Sequence, residues 1–193
     1  MATIQLTHAP ILNSSVQLLI LPVNTAGTLL DPVLARTKIL YPDNYQRYRK
    51  ACIDGSLKTG TCLIHKRVRE HSGLGISNHS NQPSYIANLV ISDHPYHPAR
   101  TAWLTAALTD LSKQLIPLIR YKGVRKIAVL ARPLLFDPSS NKAEHDSLDH
   151  AREHTAAPLP LDWHDVTLPL IKKHLQGLPK LRIDIHVPKH ITV

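Results

Sequence analysis

The chain has 193 residues, 43% hydrophobic and 19% charged, with a formal net charge of +9. That length suits a single domain over residues 1–193 with its own core, and no apolar run approaches the roughly 18 residues a membrane-spanning helix needs, so a soluble protein with no membrane partner is expected. Residues Met1–Pro10 lack the basic and apolar halves of a secretory signal, which makes the cytoplasm the expected location. Cys52 and Cys62 match neither a zinc knuckle nor a redox pair, and both are expected as reduced thiols. The charge is uneven: Glu144, Asp146, Asp149, Glu153, Asp162 and Asp165 face only Lys142 and Arg152, so the remainder is more basic than the total. A basic surface attracts nucleic acid, anionic nucleotides or acidic proteins, and it also serves solubility.

In chain order, Ile4 to Leu6 is a short strand and His8 to Ser15 a loop. Val16 to Leu21 is an apolar run that ends at Pro22, as in a strand covered on both faces, and Asn24-Thr25-Ala26-Gly27 makes the turn after it. Asp31-Pro32 opens a helix with a capping carboxylate and a proline at the first helical position. Pro42-Asp43 interrupts it and starts a second helix ending at Asp54-Gly55. Strands follow at Thr61 to His65 and Tyr85 to Ile91, separated by a polar loop.

Between Pro98 and Tyr121, the residues Leu104, Ala107, Leu108, Leu111, Leu115 and Leu118 recur at helical spacing, with Pro117 expected to kink the last turn. Lys126 to Leu130 is another buried strand, Trp163 to Leu175 a helix, and Arg182 to Val187 the final strand. Alternating strands and helices predict an α/β fold, a three-layer α/β/α sandwich with a mostly parallel sheet.

The run Leu21-Pro22-Val23-Asn24-Thr25-Ala26-Gly27, then Tyr41-Pro42-Asp43-Asn44-Tyr45, Tyr48, Ala51-Cys52 and Gly55, resembles the macrodomain family. It looks most like the antitoxin-type macrodomains that remove ADP-ribose from DNA. Tyr85-Ile86-Ala87-Asn88, the helix from Pro98, the strand Lys126 to Leu130 and Leu161-Asp162-Trp163 follow in the family's order, so the resemblance spans nearly the whole chain. It implies a mixed sheet, an ADP-ribose cleft at the strand ends, and Asn24 facing the distal ribose, with Thr25, Ala26 and Gly27 beside it.

Departures from the family pattern fall at the ligand loops. Leu30-Asp31-Pro32 stands where a first glycine-rich phosphate loop belongs; proline lacks an N–H and aspartate repels phosphate. Ala131-Arg132-Pro133-Leu134-Leu135-Phe136-Asp137 stands at the second without a glycine, leaving Arg132 as the expected phosphate clamp. The aspartate that grips adenine falls near Pro10, with only Ser14 and Ser15 polar nearby. Ser92 occupies the position of the catalytic lysine, followed by Asp93 and His94, a carboxylate and an imidazole able to serve as base and acid.

One further segment is chemically suggestive. Within a polar insertion over residues 137–160, Asp146, His150 and His154 recur every four residues, a weak metal-ligand pattern that a surface helix or partner-binding lid explains equally well. No Walker loop, nucleophile elbow or H-E-x-x-H is present, and no cofactor is expected. Two functions stay open: binding or processing of an ADP-ribose-type nucleotide or an ADP-ribosylated nucleic acid or protein, with hydrolysis of the glycohydrolase type if the chain is an enzyme, in a toxin–antitoxin or defence setting; or a degenerate module without catalysis that binds a protein partner. Direct nucleic-acid binding through the basic face is a third, weaker alternative.

Overall fold

The computed structural model describes residues 1–67, 82–135 and 162–192. Six strands, β1 (Thr3–Thr7), β2 (Leu18–Asn24), β3 (Cys62–Lys66), β4 (Tyr85–Ser92), β5 (Lys126–Leu130) and β6 (Arg182–His186), form one sheet in the order β1-β6-β5-β2-β4-β3. Every pair is parallel except β3 with β4. The predicted mixed, mostly parallel sandwich is therefore the observed one.

Alternation along the strands builds the layers, because successive side chains point to opposite faces. Leu18, Ile20, Ala87, Leu89, Ile127, Val129, Ile183 and Ile185 face one core. It is covered by α3 (Thr101–Tyr121) and by α4 (Leu168–Leu175). Leu19, Leu21, Val23, Ile86, Val90, Ala128 and Leu130 face the other, under α1 (Pro32–Leu40) and α2 (Pro42–Ile53). No helix among the described residues is long and apolar enough to cross a membrane.

Several elements depart locally from expectation. β2 does not stop at Pro22 but runs on to Asn24, with every residue buried. Beyond Ile20 it pairs only with β4, so a residue without an amide proton is accommodated on the open β5 side. α3 runs through Pro117 to Tyr121, with the proline on its exposed side, where the carbonyl it leaves unpaired meets water. Ile119, rather than Leu118, completes the buried stripe. Ahead of α4, Trp163–Thr167 form a wider turn, in which Thr167 N–H donates to the Asp162 carbonyl at 2.9 Å, five residues back.

Two polar contacts fix α2 on the sheet. Asn44 and Asn88, both buried, exchange amide hydrogen bonds of 3.2 and 2.8 Å, and Asn88 Nδ2 also donates to the Leu63 carbonyl at 3.3 Å. At the start of α2, Asp43 Oδ2 lies 2.8 Å from His65 Nε2 on β3, while the Arg67 guanidinium stacks on the Tyr41 ring at 4.6 Å. Burial works to raise the Asp43 pKa, but the His65 hydrogen bond, the Asn44 amide and the charges of His65 and Arg67 outweigh it, so its carboxyl titrates below its ordinary value.

Replacing either Asn44 or Asn88 by alanine strands a buried amide and is expected to cost about 1–3 kcal/mol. In urea denaturation the double variant will lose less than the sum of the two, and strict additivity would show that the pair does not act as a unit. Because the folded-state pKa of Asp43 lies below the unfolded value of about 3.9, its contribution is complete above that pH and disappears as pH falls through the folded value. Asp43→Asn will therefore flatten the acid limb of a melting-temperature profile, and an unchanged limb would remove Asp43 from acid unfolding.

Candidate functional site

Chain direction makes the carboxyl ends of β2 and its neighbours the expected place for a crevice. The loop after β2 leaves toward α1 on one face of the sheet, whereas those after β4 and β5 lead toward α3 and α4 on the other. Neighbouring strands whose loops diverge in this way leave a crevice at their carboxyl ends, where open α/β sheets bind ligands.

The loop after β2 is held from within and from both sides. Asn24, 6% exposed, donates from Nδ2 to the Thr28 carbonyl at 2.7 Å and closes the turn. Tyr48 donates to the Asn24 carbonyl at 2.6 Å and lies 3.3 Å from its Oδ1. Gly27 adopts φ +74°, a left-handed conformation that strains a residue with a side chain. Thr25 closes the β4 side: its amide donates to the Ser92 carbonyl and its hydroxyl to the Asp93 carbonyl, both at 3.1 Å. Asn24 and Ser92 stand in register across the two strands.

Beyond β4, Asp93 pairs with His97 rather than with the adjacent His94: Asp93 Oδ1 lies 2.9 Å from His97 Nδ1. That hydrogen bond first, then the charges of His97 and Arg100, hold the Asp93 carboxyl below its ordinary pKa. His94 stacks against Tyr96 and His97, with ring centroids 5.4 and 5.1 Å apart. The i, i+4 spacing of Asp93 and His97 is the signal in the sequence for this pair. All three side chains are exposed at the mouth of the crevice.

On the β5 side, the two replaced phosphate loops meet each other. Arg132 Nε lies 3.0 Å from Asp31 Oδ2. The other oxygen of Asp31 accepts from the amides of Val33 at 2.8 Å and Leu34 at 3.2 Å, capping α1. A carboxylate thus holds the anion position at a helix N-terminus, and it neutralises the arginine expected to clamp phosphate. Arg132 keeps 55% of its side chain exposed, whereas Asp31 keeps 13%.

Ala26 and Gly27 serve the other side of the loop, where Ala26 to Leu29, Lys38, Tyr45 and Arg49 line a cavity of about 330 Å³. Near the expected adenine position, Ser14 donates its hydroxyl to the Ile11 carbonyl, and His186 hydrogen-bonds the Ala9 carbonyl through Nδ1 at 2.7 Å. Burial lowers the His186 pKa, and its buried Nε2 has no partner among the described residues. Burial raises the thiol pKa of Cys52 and Cys62, so neither is set up as a thiolate nucleophile. Asp146, His150 and His154, with the rest of the 137–160 insertion, lie outside the described residues. Among those described, no three His, Cys, Asp or Glu side chains are grouped to hold a metal.

No family model matches the chain. Over 101 residues it is 33% identical to a DNA ADP-ribosyl glycohydrolase of Thermus aquaticus, a stretch covering 52% of this chain and 25% of that protein, so the match spans about a quarter of the relative's length. Among solved structures it is similar to the macrodomain of Thermus aquaticus DarG, with TM-score 0.70 and 24% identity over 97% of this chain and all of that one. The macrodomain of Mycobacterium tuberculosis DarG gives 0.67 and 22% over 98% of this chain and all of that one. Thermosipho africanus DarTG in complex with ADP-ribose gives 0.66 and 18% over 98% of this chain and 43% of that one. The chain has the macrodomain fold. Its likeness is to macrodomains of the DarG kind, as the resemblance in sequence implied.

Tyr48→Phe leaves the Asn24 carbonyl without its buried donor and is expected to lower unfolding stability by about 1–3 kcal/mol in urea denaturation. Combined with Asn24→Ala it will cost less than the two changes summed, and full additivity would mean that Tyr48 does not hold the loop through Asn24.

Proposed function

We propose that the crevice beside β2 binds an ADP-ribosyl group, free or attached to nucleic acid, with Arg132 as its phosphate contact and Asp31 as a built-in competitor for that arginine. The observation that carries this reading is the 3.0 Å pair between Arg132 and Asp31, which joins the two positions where the family pattern has glycine-rich loops. A diphosphate that displaces Asp31 from the guanidinium exchanges one charge-assisted contact for another, and the exposed side chain of Arg132 leaves it free to turn. Asn24 contributes its amide to the distal sugar only by releasing the Thr28 carbonyl. Ligand entry and loop rearrangement are therefore coupled. Thr25 and Ser92 form the wall between the sugar and β4, and Ala26 and Gly27 complete the loop.

Proton transfer in this crevice falls to Asp93 with His97, and His94 borders the pair. If the group is hydrolysed, water adds to the anomeric carbon as the bond to the nucleobase breaks; the pair takes up the water proton, and the departing base acquires one. A carboxylate held below its usual pKa is a weak base but a good orienter of imidazole, which gives His97 the transfer and Asp93 the positioning.

The same ion pair favours a second reading, a macrodomain fold whose anion site is permanently filled by its own aspartate and which serves as a protein-binding module. Calorimetric titration with ADP-ribose separates the two. Asp31→Asn keeps an N-cap while removing the charge and is expected to tighten binding by on the order of tenfold, and Arg132→Ala to weaken it by a similar factor. Asp93→Asn will leave that affinity unchanged while slowing release of the group from an ADP-ribosylated oligonucleotide. No binding heat in either the parent chain or Asp31→Asn would reject the first reading in favour of the second.

A further inference from the structure

We infer that the cavity between the Ala26–Leu29 loop and the α1–α2 pair is a phosphate site for a nucleic-acid backbone, separate from the crevice on the β4 and β5 sides of β2. It rests on the cavity and its charges and not on hydrolysis; it deepens the functional reading by naming the carrier of the modified group.

Two cations line this cavity of about 330 Å³, Lys38 and Arg49, and no carboxylate does. Neither side chain makes an ion pair among the described residues; Lys38 instead lies 4.7 Å from the centroid of the Tyr45 ring. Tyr45 and Arg49 stand four residues apart on α2 and so share one face of that helix, toward the loop. Tyr45 Oη reaches the Gly27 carbonyl at 3.4 Å, and Arg49 Cγ lies 3.8 Å from where a Cβ on Gly27 would be. An ammonium, a guanidinium and an aromatic face around a concavity of this size match the chemistry of one phosphate with its adjoining sugar or base.

The surroundings extend the argument from a small anion to a polymer. Arg36 on α1 and Arg47 and Lys50 on α2 are all exposed. Two of the three carboxylates of this segment are paired, Asp31 with Arg132 and Asp43 with His65, while Asp54 accepts the Ser56 amide at 3.0 Å and keeps its charge near Lys50. The helical pair therefore exposes five cations, Lys38 and Arg49 with Arg36, Arg47 and Lys50, more than a lone mononucleotide can contact. A single loop serves both places, because Thr25 bonds to the end of β4 while Ala26 to Leu29 line the cavity. A strand held here delivers its own modified nucleotide to the crevice next door.

The test is fluorescence anisotropy of the full chain with an unmodified, labelled single-stranded oligonucleotide over a range of salt, comparing Lys38→Ala/Arg49→Ala with Arg120→Ala/Lys122→Ala at the far end of α3. Each pair removes the same charge from exposed positions. The first is expected to weaken binding by on the order of tenfold at low salt and to reduce the slope of log affinity against log salt by about 1.4, two phosphate contacts at roughly 0.7 each. The α3 variant will track the parent. Equal losses in both variants would reduce the effect to net charge and overturn the site. So would no binding of the oligonucleotide, or inorganic phosphate competing as well, charge for charge, as a second unlabelled strand. Titrating the Lys38→Ala/Arg49→Ala variant with free ADP-ribose keeps the two readings apart: retained ADP-ribose affinity with lost oligonucleotide binding assigns the effect to the cavity alone.

Discussion

β2 is buried on both faces from Leu18 to Asn24, and the site is arranged around that burial. A strand in the middle of a sandwich delivers its last residue into the interior, where an unpaired peptide group is costly, so the chain has to leave through a turn that satisfies its own polar atoms. Asn24 does this with its side chain, Tyr48 with its hydroxyl, and Thr25 by bonding to the end of β4. The shape of the loop is thus dictated by the core beneath it. Its two surfaces, one toward the crevice and one toward the helices, are consequences of that shape.

Electrostatics then decides what such a loop can accept. Glycine-rich loops bind phosphate with backbone amides, which are neutral and always presented. Asp31 and Arg132 instead form a pair of full charges that satisfy each other. In the proposed reading the pair is an internal occupant of the cleft, so affinity becomes a difference between two ion pairs rather than the strength of one. The two partners differ in exposure, Arg132 at 55% and Asp31 at 13%, so in that reading the arginine is the partner an incoming anion reaches.

Most of the fold was legible in the sequence. Apolar runs located every strand to within a residue or two, apart from the end of β2, and Asp31-Pro32 marked the start of α1. The end of β2 was misplaced because proline inside a central strand is normally excluded; only the absence of a β5 partner beyond Ile20 permits it, and that is a property of the assembled sheet. In the site, Thr25 bonds to Ser92 and Asp93 at the end of β4, and Asn24 and Ser92 stand in register. Sequence adjacency groups Asp93 with His94 as candidate base and acid, and the turn after β4 also brings His97 against the carboxylate. The pairing of Asp31 with Arg132 lies between residues about a hundred positions apart, and no local pattern encodes it. The cavity behind the loop is likewise a tertiary product: Lys38 and Arg49 read as ordinary solvated helix charges until α1 and α2 are folded against each other.

The outer edge of the sheet at β3 carries a device of its own. Asp110 on α3 accepts the Cys62 amide at 2.8 Å, and Gln114 donates to the Cys62 carbonyl at 2.7 Å, so the first outward peptide groups of this strand are already satisfied by side chains. An incoming chain seeking to extend the sheet finds the peptide groups of Cys62 already taken. The opposite border, β1, has no such cover among the described residues. The molecule is in this sense one-sided: side chains of α3 guard the start of β3 against a neighbouring strand, and none among the described residues does so at β1.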